Sequence, residues 1–333
     1  MFGKEKMILP VNRLIGEVTL PGDKSISHRA LMLAALAEGE SVISNLSSSR
    51  DVYHTRMCLE ELGVVIKDEG DHVRVFGAGL HGLKPPSRVL DAGNSGTTMR
   101  LLAGILAGQS FNSVLDGDES LRKRPMGRII TPLSRMGANI TASEQNTAPL
   151  SIQGQPLQGI EYRSPIASAQ VKSAILLAGL YASGETTVIE PAPSRNHTEL
   201  MFEYLGIPIE REGLKTTLHP APFKARDITI PGDFSAAAFF IVAALMVPNS
   251  YIIIRNVNLN PTRAFMLQLL KQAGAHIHVI SESIRFQEKW GDLIIESSDI
   301  QPFEISGEMV PQLIDEIPIL AVLATQARGT TLI

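Results

Sequence analysis

The sequence predicts an α/β (α+β) fold assembled from repeated βαβαββ units, on three observations. The first is a periodic mark: a glycine with isoleucine three residues later recurs as Gly63-Val64-Val65-Ile66, Gly137-Ala138-Asn139-Ile140, Gly206-Ile207-Pro208-Ile209 and Gly274-Ala275-His276-Ile277, at intervals of 74, 69 and 68 residues. The second is a helix-like run of small apolar residues upstream of each mark, opening just after a polar segment. The third is an echo. Thr19-Leu20-Pro21-Gly22-Asp23-Lys24-Ser25 resembles Thr229-Ile230-Pro231-Gly232-Asp233-Phe234-Ser235 at an offset of 210 residues, three repeats, and implies two pseudo-equivalent halves.

Taken in order, the apolar helices span Ile26 to Leu36, Thr97 to Leu106, Ala169 to Leu180, Ala236 to Leu245 and Leu313 to Ala324. A second helix follows in each unit. In the first unit it carries Val52, Met57, Leu59 and Leu62 after an N-cap at Asp51, and Gly63 stands where a left-handed C-cap belongs. A strand comes next. The unit is therefore strand, polar loop, helix, strand, helix and strand pair, and neighbouring units must share a core to bury both helices. A fifth glycine is due about seventy residues after Gly274 by the repeat period, beyond Ile333. The expectation is a chain lacking its last units, with Leu313, Ile317 and Leu320 left without partners.

Composition narrows the function. With 333 residues, 44% of them hydrophobic, the chain can bury one large core or two. A net charge of −4 offers no concentrated basic face, so neither nucleic acid nor an anionic membrane is expected as partner, and small molecules are. Cys58 is the only cysteine, which excludes an intrachain disulfide and suits a reducing cytoplasm; no metal site is expected. Met1 to Pro10 lack the apolar run of a signal peptide, and Ala236 to Val247 is too short to span a membrane. His28, His197 and Cys58 read as structural, and the eleven methionines as core filler.

The polar loops concentrate the chemistry. Gly22-Asp23-Lys24-Ser25-Ile26-Ser27-His28-Arg29 places an ammonium, hydroxyls and a guanidinium at a helix start, where backbone N–H groups also favour anions. The glycine spacing of a Walker loop is absent. Asp91-Ala92-Gly93-Asn94-Ser95-Gly96-Thr97-Thr98 lets a ligand approach the backbone at a second helix start, and Ser120-Leu121-Arg122-Lys123-Arg124-Pro125 sets three cations before a helix-initiating proline. Ser168-Ala169-Gln170-Val171-Lys172 and Ser194-Arg195-Asn196-His197-Thr198 supply donors suited to a phosphate monoester. Asp315-Glu316 lies in an apolar helix, where burial would raise a carboxylate pKa and nearby cations would lower it.

Over its whole length the chain resembles the EPSP synthase (3-phosphoshikimate 1-carboxyvinyltransferase) family of enolpyruvyl transferases. The resemblance rests on Leu20-Pro21-Gly22-Asp23-Lys24-Ser25-Ile26-Ser27-His28-Arg29, on Gly93-Asn94-Ser95-Gly96-Thr97 and on Lys123-Arg124-Pro125. It implies two domains of three βαβαββ units, residues 22–228 forming one and residues 1–21 with 229–333 the other, and substrates held in the cleft between them. The implied ligands are phosphoenolpyruvate at Lys24, Gly96, Arg124 and Gln170, and shikimate 3-phosphate at Lys24, Ser25, Arg29, Ser168, Ala169, Gln170, Ser194, Arg195 and Asp315. Lys24 and Asp315 would be catalytic, with Asp315 at the reacting hydroxyl.

The resemblance further implies a cytoplasmic monomer of the shikimate pathway to chorismate and aromatic amino acids, needing no cofactor or metal and targeted by glyphosate. The shikimate 5-hydroxyl adds to C2 of phosphoenolpyruvate as C3 is protonated, and the adduct eliminates phosphate. One departure stands out: the family's later segment rich in Lys, Glu and Arg has no match after Asp315, and by the resemblance the chain as given would be inactive by itself. The sister transferase that acts on UDP-N-acetylglucosamine fits less well, because Cys58 lies in a helical pattern and Lys24 is followed by serine. A non-catalytic binding module is the reading from another class.

Overall fold

The computed structural model describes residues 7 and 9–333. Residues 1–6 and 8, which carry most of the leader reading and part of the expected 1–21 segment, lie outside the described residues. In chain order β1 (Ile15–Thr19) precedes α1 (Lys24–Leu36), β2 (Glu38–Ser44), α2 (Arg50–Glu61), β3 (Val65–Glu69) and β4 (His72–Ala78). Next come β5 (Leu90–Asp91), α3 (Gly96–Ala107), β6 (Asn112–Asp116), α4 (Gly127–Arg135), β7 (Asn139–Thr141) and β8 (Leu150–Gln153). The third repeat runs β9 (Leu157–Gln158), β10 (Glu161–Arg163), α5 (Ala169–Gly179), β11 (Ala182–Ser183), β12 (Thr186–Ile189), α6 (His197–Leu205), β13 (Ile209–Glu212) and β14 (Lys215–Leu218). The chain continues through β15 (Ile228–Thr229), α7 (Phe234–Met246), β16 (Tyr251–Asn258), α8 (Phe265–Gln272), β17 (His276–Arg285), β18 (Glu288–Glu296), α9 (Val310–Leu313) and α10 (Ile317–Ala324).

The four repeat glycines do the same job. Gly63, Gly137, Gly206 and Gly274 have φ of 87°, 97°, 76° and 91°, each just past a helix end, so the chain leaves the helix through a left-handed residue and turns into β3, β7, β13 or β17. The Pro-Gly-Asp echo is equally physical. Asp23 and Asp233 are both N-caps, their Oδ1 atoms accepting from Ile26 N at 2.9 Å and Ala236 N at 3.2 Å.

The chain folds into two units: unit 1 is Met1–Leu20, Gly232–Ser283 and Lys289–Ile333, and unit 2 is Pro21–Pro231 with Ile284–Glu288. These bounds differ from the sequence reading at residues 229–231 and 284–288. Within unit 2, β15 runs parallel to β2, Phe286 meets the Tyr204 ring edge-on at 6.0 Å, and Glu288 pairs with His197 at 2.6 Å.

Unit 2 holds three four-stranded sheets of one topology, ordered β15-β2-β4-β3, β5-β6-β8-β7 and β10-β12-β14-β13. In each, the first pair is parallel and the next two are antiparallel. Helices α1, α3 and α5 form the core, buried on nearly every face, which is why their sequences are apolar all round rather than striped. At Gly104 a Cβ would lie 2.2 Å from the Ala174 carbonyl oxygen, so glycine there sets how closely α3 and α5 approach.

Unit 1 repeats the same topology once, as β1-β16-β18-β17, over a core that includes Phe234, Ile241, Leu245, Ile254, Leu270 and Leu293. Three sequence expectations need correction. The cap of α2 is Ser49, whose side chain accepts from Val52 N, and Asp51 sits inside the first turn. The Leu313–Ala324 helix is interrupted between α9 and α10, because Pro318 has no N–H to donate and its ring would strike the carbonyl of Ile314. Leu313 and Leu320 are fully buried in the unit 1 core, with Ile317 packed against it, whereas Ile314 and Val322 beside them are exposed.

Candidate active site

The N-termini of α1, α3 and α5 gather the polar residues of unit 2. Lys24 opens α1 and reaches Asp51 at 3.1 Å with about half of its side chain exposed. One turn later Arg29 is buried. Its Nε donates to Thr198 Oγ1 at 2.7 Å, Nη1 to the Ser25 carbonyl at 2.9 Å and Nη2 to Ser173 Oγ at 2.8 Å. All three acceptors are neutral. Burial lowers the Arg29 pKa to about 10, against the field of Glu199.

Gly96 opens α3 behind the N-cap Ser95. A Cβ at Gly96 would lie 2.8 Å from Arg100 Nη1 and 3.4 Å from Arg124 Nη1, so two guanidinium groups crowd the point where the helix presents its free N–H groups. Arg100 donates to Gln170 Oε1 and to the Pro125 carbonyl, and Arg124 to Asn94 Oδ1. Burial, then the fields of Arg128 and Arg124, lower the Arg100 pKa to about 10. Gln170 also donates to Thr97 Oγ1 at 3.0 Å, tying α5 to α3.

Ser168 is the N-cap of α5, its Oγ accepting from Val171 N, with Ala169 and Gln170 the first helical residues. Ser194 is buried, and among the described residues its hydroxyl has no hydrogen-bond partner; Arg195 follows it just before α6. Asp315 belongs to unit 1, half-exposed between α9 and α10 and 3.9 Å from Arg263. Its neighbour Glu316 is buried and takes Arg263 Nη1 at 2.8 Å. The pair therefore splits: Glu316 is a structural partner of a buried arginine, while Asp315 keeps solvent access.

Sequence reasoning missed Arg100, Ser173 and the role of Asp51. The signal for Arg100 was present as a lone cation in the apolar run Thr97 to Leu106, four residues after Gly96. Cys58 is buried, donates to the Asp91 carbonyl at 3.5 Å and has its thiol pKa pushed up to about 12 by burial, which makes it unreactive. Among the described residues no group of three or more His, Cys, Asp or Glu is placed to hold a metal, and no helix is long and apolar enough to cross a membrane.

The profile of the family described as EPSP synthase (3-phosphoshikimate 1-carboxyvinyltransferase) matches residues 8–333. The chain belongs to this family. A 3-phosphoshikimate 1-carboxyvinyltransferase from Thermoanaerobacter sp. (strain X514) is 50% identical over 321 residues, 96% of this chain and 76% of that protein. One from Bacillus cereus (strain G9842) is 50% identical over 333 residues, 99% of this chain and 78% of that protein. Among solved structures, an EPSP synthase from Acinetobacter baumannii superposes with a TM-score of 0.89 at 44% identity, covering 98% of this chain and 75% of that one. These matches take in nearly the whole of this chain and about three quarters of the length of each relative. The mixed α/β fold of the EPSP synthases is the fold of this chain.

Proposed function

We propose that this chain serves transfer of the enolpyruvyl group of phosphoenolpyruvate to the 5-hydroxyl of shikimate 3-phosphate, yielding 5-enolpyruvylshikimate 3-phosphate and phosphate in the shikimate pathway. The observation that carries this reading is the anion site at the start of α3. There Arg100 and Arg124 converge on Gly96 with neutral hydrogen-bond acceptors, so their charge is left for a ligand. The names of the relatives supply the identity of the anion.

In this reading Lys24, Arg124, Gln170 and the Gly96 backbone hold phosphoenolpyruvate, and Ser25 and Arg29 hold the shikimate ring and carboxylate. Ser168, Ala169, Gln170, Ser194 and Arg195 receive the phosphate, and Asp315 attends the reacting hydroxyl. The buried, unpartnered Ser194 hydroxyl supports a phosphate there, since a buried donor is normally satisfied. Both substrates are multiply anionic, so bringing them together requires cations fixed in advance, which is what Arg29 and Arg100 provide. As the hydroxyl gives up its proton and adds to C2 and C3 takes a proton, the negative charge moves within this cationic field; loss of phosphate from C2 together with a proton from C3 then re-forms the double bond and completes the transfer.

A cytoplasmic monomer without cofactor belongs to the same proposal, with light scattering as the check on oligomeric state. The deciding assay is release of phosphate from phosphoenolpyruvate, dependent on shikimate 3-phosphate. Lys24→Met should raise the KM for phosphoenolpyruvate by about 10- to 100-fold, the loss of one charge-assisted contact. Phosphate release that does not depend on shikimate 3-phosphate would overturn the reading.

A further inference from the structure

Lys172 lies one turn into α5 with its Nζ 2.6 Å from Glu190 Oε2 and 2.7 Å from Glu199 Oε1. All three side chains are at most 6% exposed, so one ammonium and two carboxylates have been taken out of water together. Such a cluster is costly unless each charge is paired and hydrogen-bonded, and its members cannot reach solvent-borne ligands directly. Burial works against the Lys172 ammonium, but the charges and hydrogen bonds of Glu199 and Glu190 outweigh it and raise its pKa.

The cluster is wired to the proposed phosphate site. Glu190 Oε1 accepts from the backbone N–H of Ser168 at 3.2 Å, and Ser168 in turn caps α5. Glu199 adjoins Thr198, whose hydroxyl receives the Arg29 Nε–H, and its field is the largest influence keeping buried Arg29 charged. Thus two cations, Lys172 and Arg29, are balanced by Glu190 and Glu199, while the hydrogen bonds of the Arg29 fork go to neutral oxygens.

We propose that Lys172, Glu190 and Glu199 are positioning residues for the phosphate of the acceptor: Lys172 draws both carboxylates into one buried knot, and Glu190 fixes the Ser168 amide and with it the α5 N-terminus. This rests on the reading that the start of α5 receives the phosphate of shikimate 3-phosphate. The role has a signature in sign. Removing the Glu190 charge would tighten binding of an anion on electrostatic grounds alone, whereas loss of positioning weakens it.

The test is calorimetric titration of the whole chain with shikimate 3-phosphate and with unphosphorylated shikimate, with melting temperature as the check on folding. Equal affinity of the unaltered chain for the two ligands would refute the phosphate-site reading itself. With that preference present, Glu190→Gln is expected to weaken shikimate 3-phosphate about tenfold, the effect of one lost charged hydrogen bond, and shikimate less than about twofold. Glu190→Asp, which keeps the charge but withdraws it from Ser168, is expected to give the same selective loss and stands in if the first variant does not fold. Unchanged or tighter shikimate 3-phosphate binding, or equal losses for both ligands, would overturn the positioning role.

Discussion

At Gly96 the side chain that is missing matters more than any present. A methyl group there would sit 2.8 Å from Arg100 Nη1, closer than a Cβ tolerates, and 3.4 Å from Arg124 Nη1. Both obstacles are the far ends of flexible side chains, so the fold can absorb the change while the proposed anion site narrows. Gly96→Ala is therefore expected to leave the melting temperature within a few degrees, roughly the effect of under 1 kcal/mol. If glyphosate takes the proposed donor site, as the resemblance implies, it should then inhibit Gly96→Ala much less than the unaltered protein; equal inhibition of the two would count against the placement. At this scale the sequence was readable where a loop motif flagged the residue, as with Gly96 and Arg124. It said less where the group acts from inside a helix, as Arg100 and Lys172 do: both cations are visible in the sequence, but a charge within an apolar run does not announce which neighbours meet it.

Between elements, a buried polar chain joins the first three helices of unit 2. His28 Nδ1 on α1 lies 2.7 Å from Thr55 Oγ1 on α2, which lies 2.7 Å from Thr98 Oγ1 on α3, and Thr98 donates to the cap residue Ser95. Burial, aided by Arg29 and Lys24, pushes the His28 pKa down to about 3. The folded protein thus binds this proton more weakly than the unfolded chain. The stability His28 contributes is complete above about pH 6.5, is lost progressively as pH falls toward 3, and amounts at most to roughly 5 kcal/mol. His28→Gln should flatten the fall in melting temperature between pH 6.5 and 4, and an unaltered pH dependence would show that His28 is not the group responsible. Local pattern located α1, α2 and α3, yet no periodicity reveals a hydrogen-bonded chain crossing them. The interrupted α9–α10 segment is the reverse case, for Pro318 stated the break and the apolar pattern of Leu313 to Ala324 concealed it.

For the molecule as a whole, the seventy-residue repeat made the four-stranded sheets legible but not the pairing of their first strands. Strand β1 leads into α1, yet it runs parallel to β16, while β15 leads toward α7 and runs parallel to β2. Because Thr19-Leu20-Pro21 and Thr229-Ile230-Pro231 are near copies, the residues alone offer either strand either partner. The two units that result differ in how completely they enclose their helices. In unit 2, α5 is buried from Val171 to Gly179 without interruption. In unit 1, the eight-residue α10 buries Leu320 and Leu323 and leaves Pro318, Ala321 and Val322 exposed. A helix that short draws nearly all its stability from packing, and one narrow stripe supplies little. Native-state hydrogen exchange should therefore find the α5 amides opening only with global unfolding and the α10 amides opening locally, about 100-fold faster or more, a gap near 3 kcal/mol. Equal protection in α5 and α10 would mean that the exposed face of α10 costs the helix no stability, contrary to what its burial pattern requires.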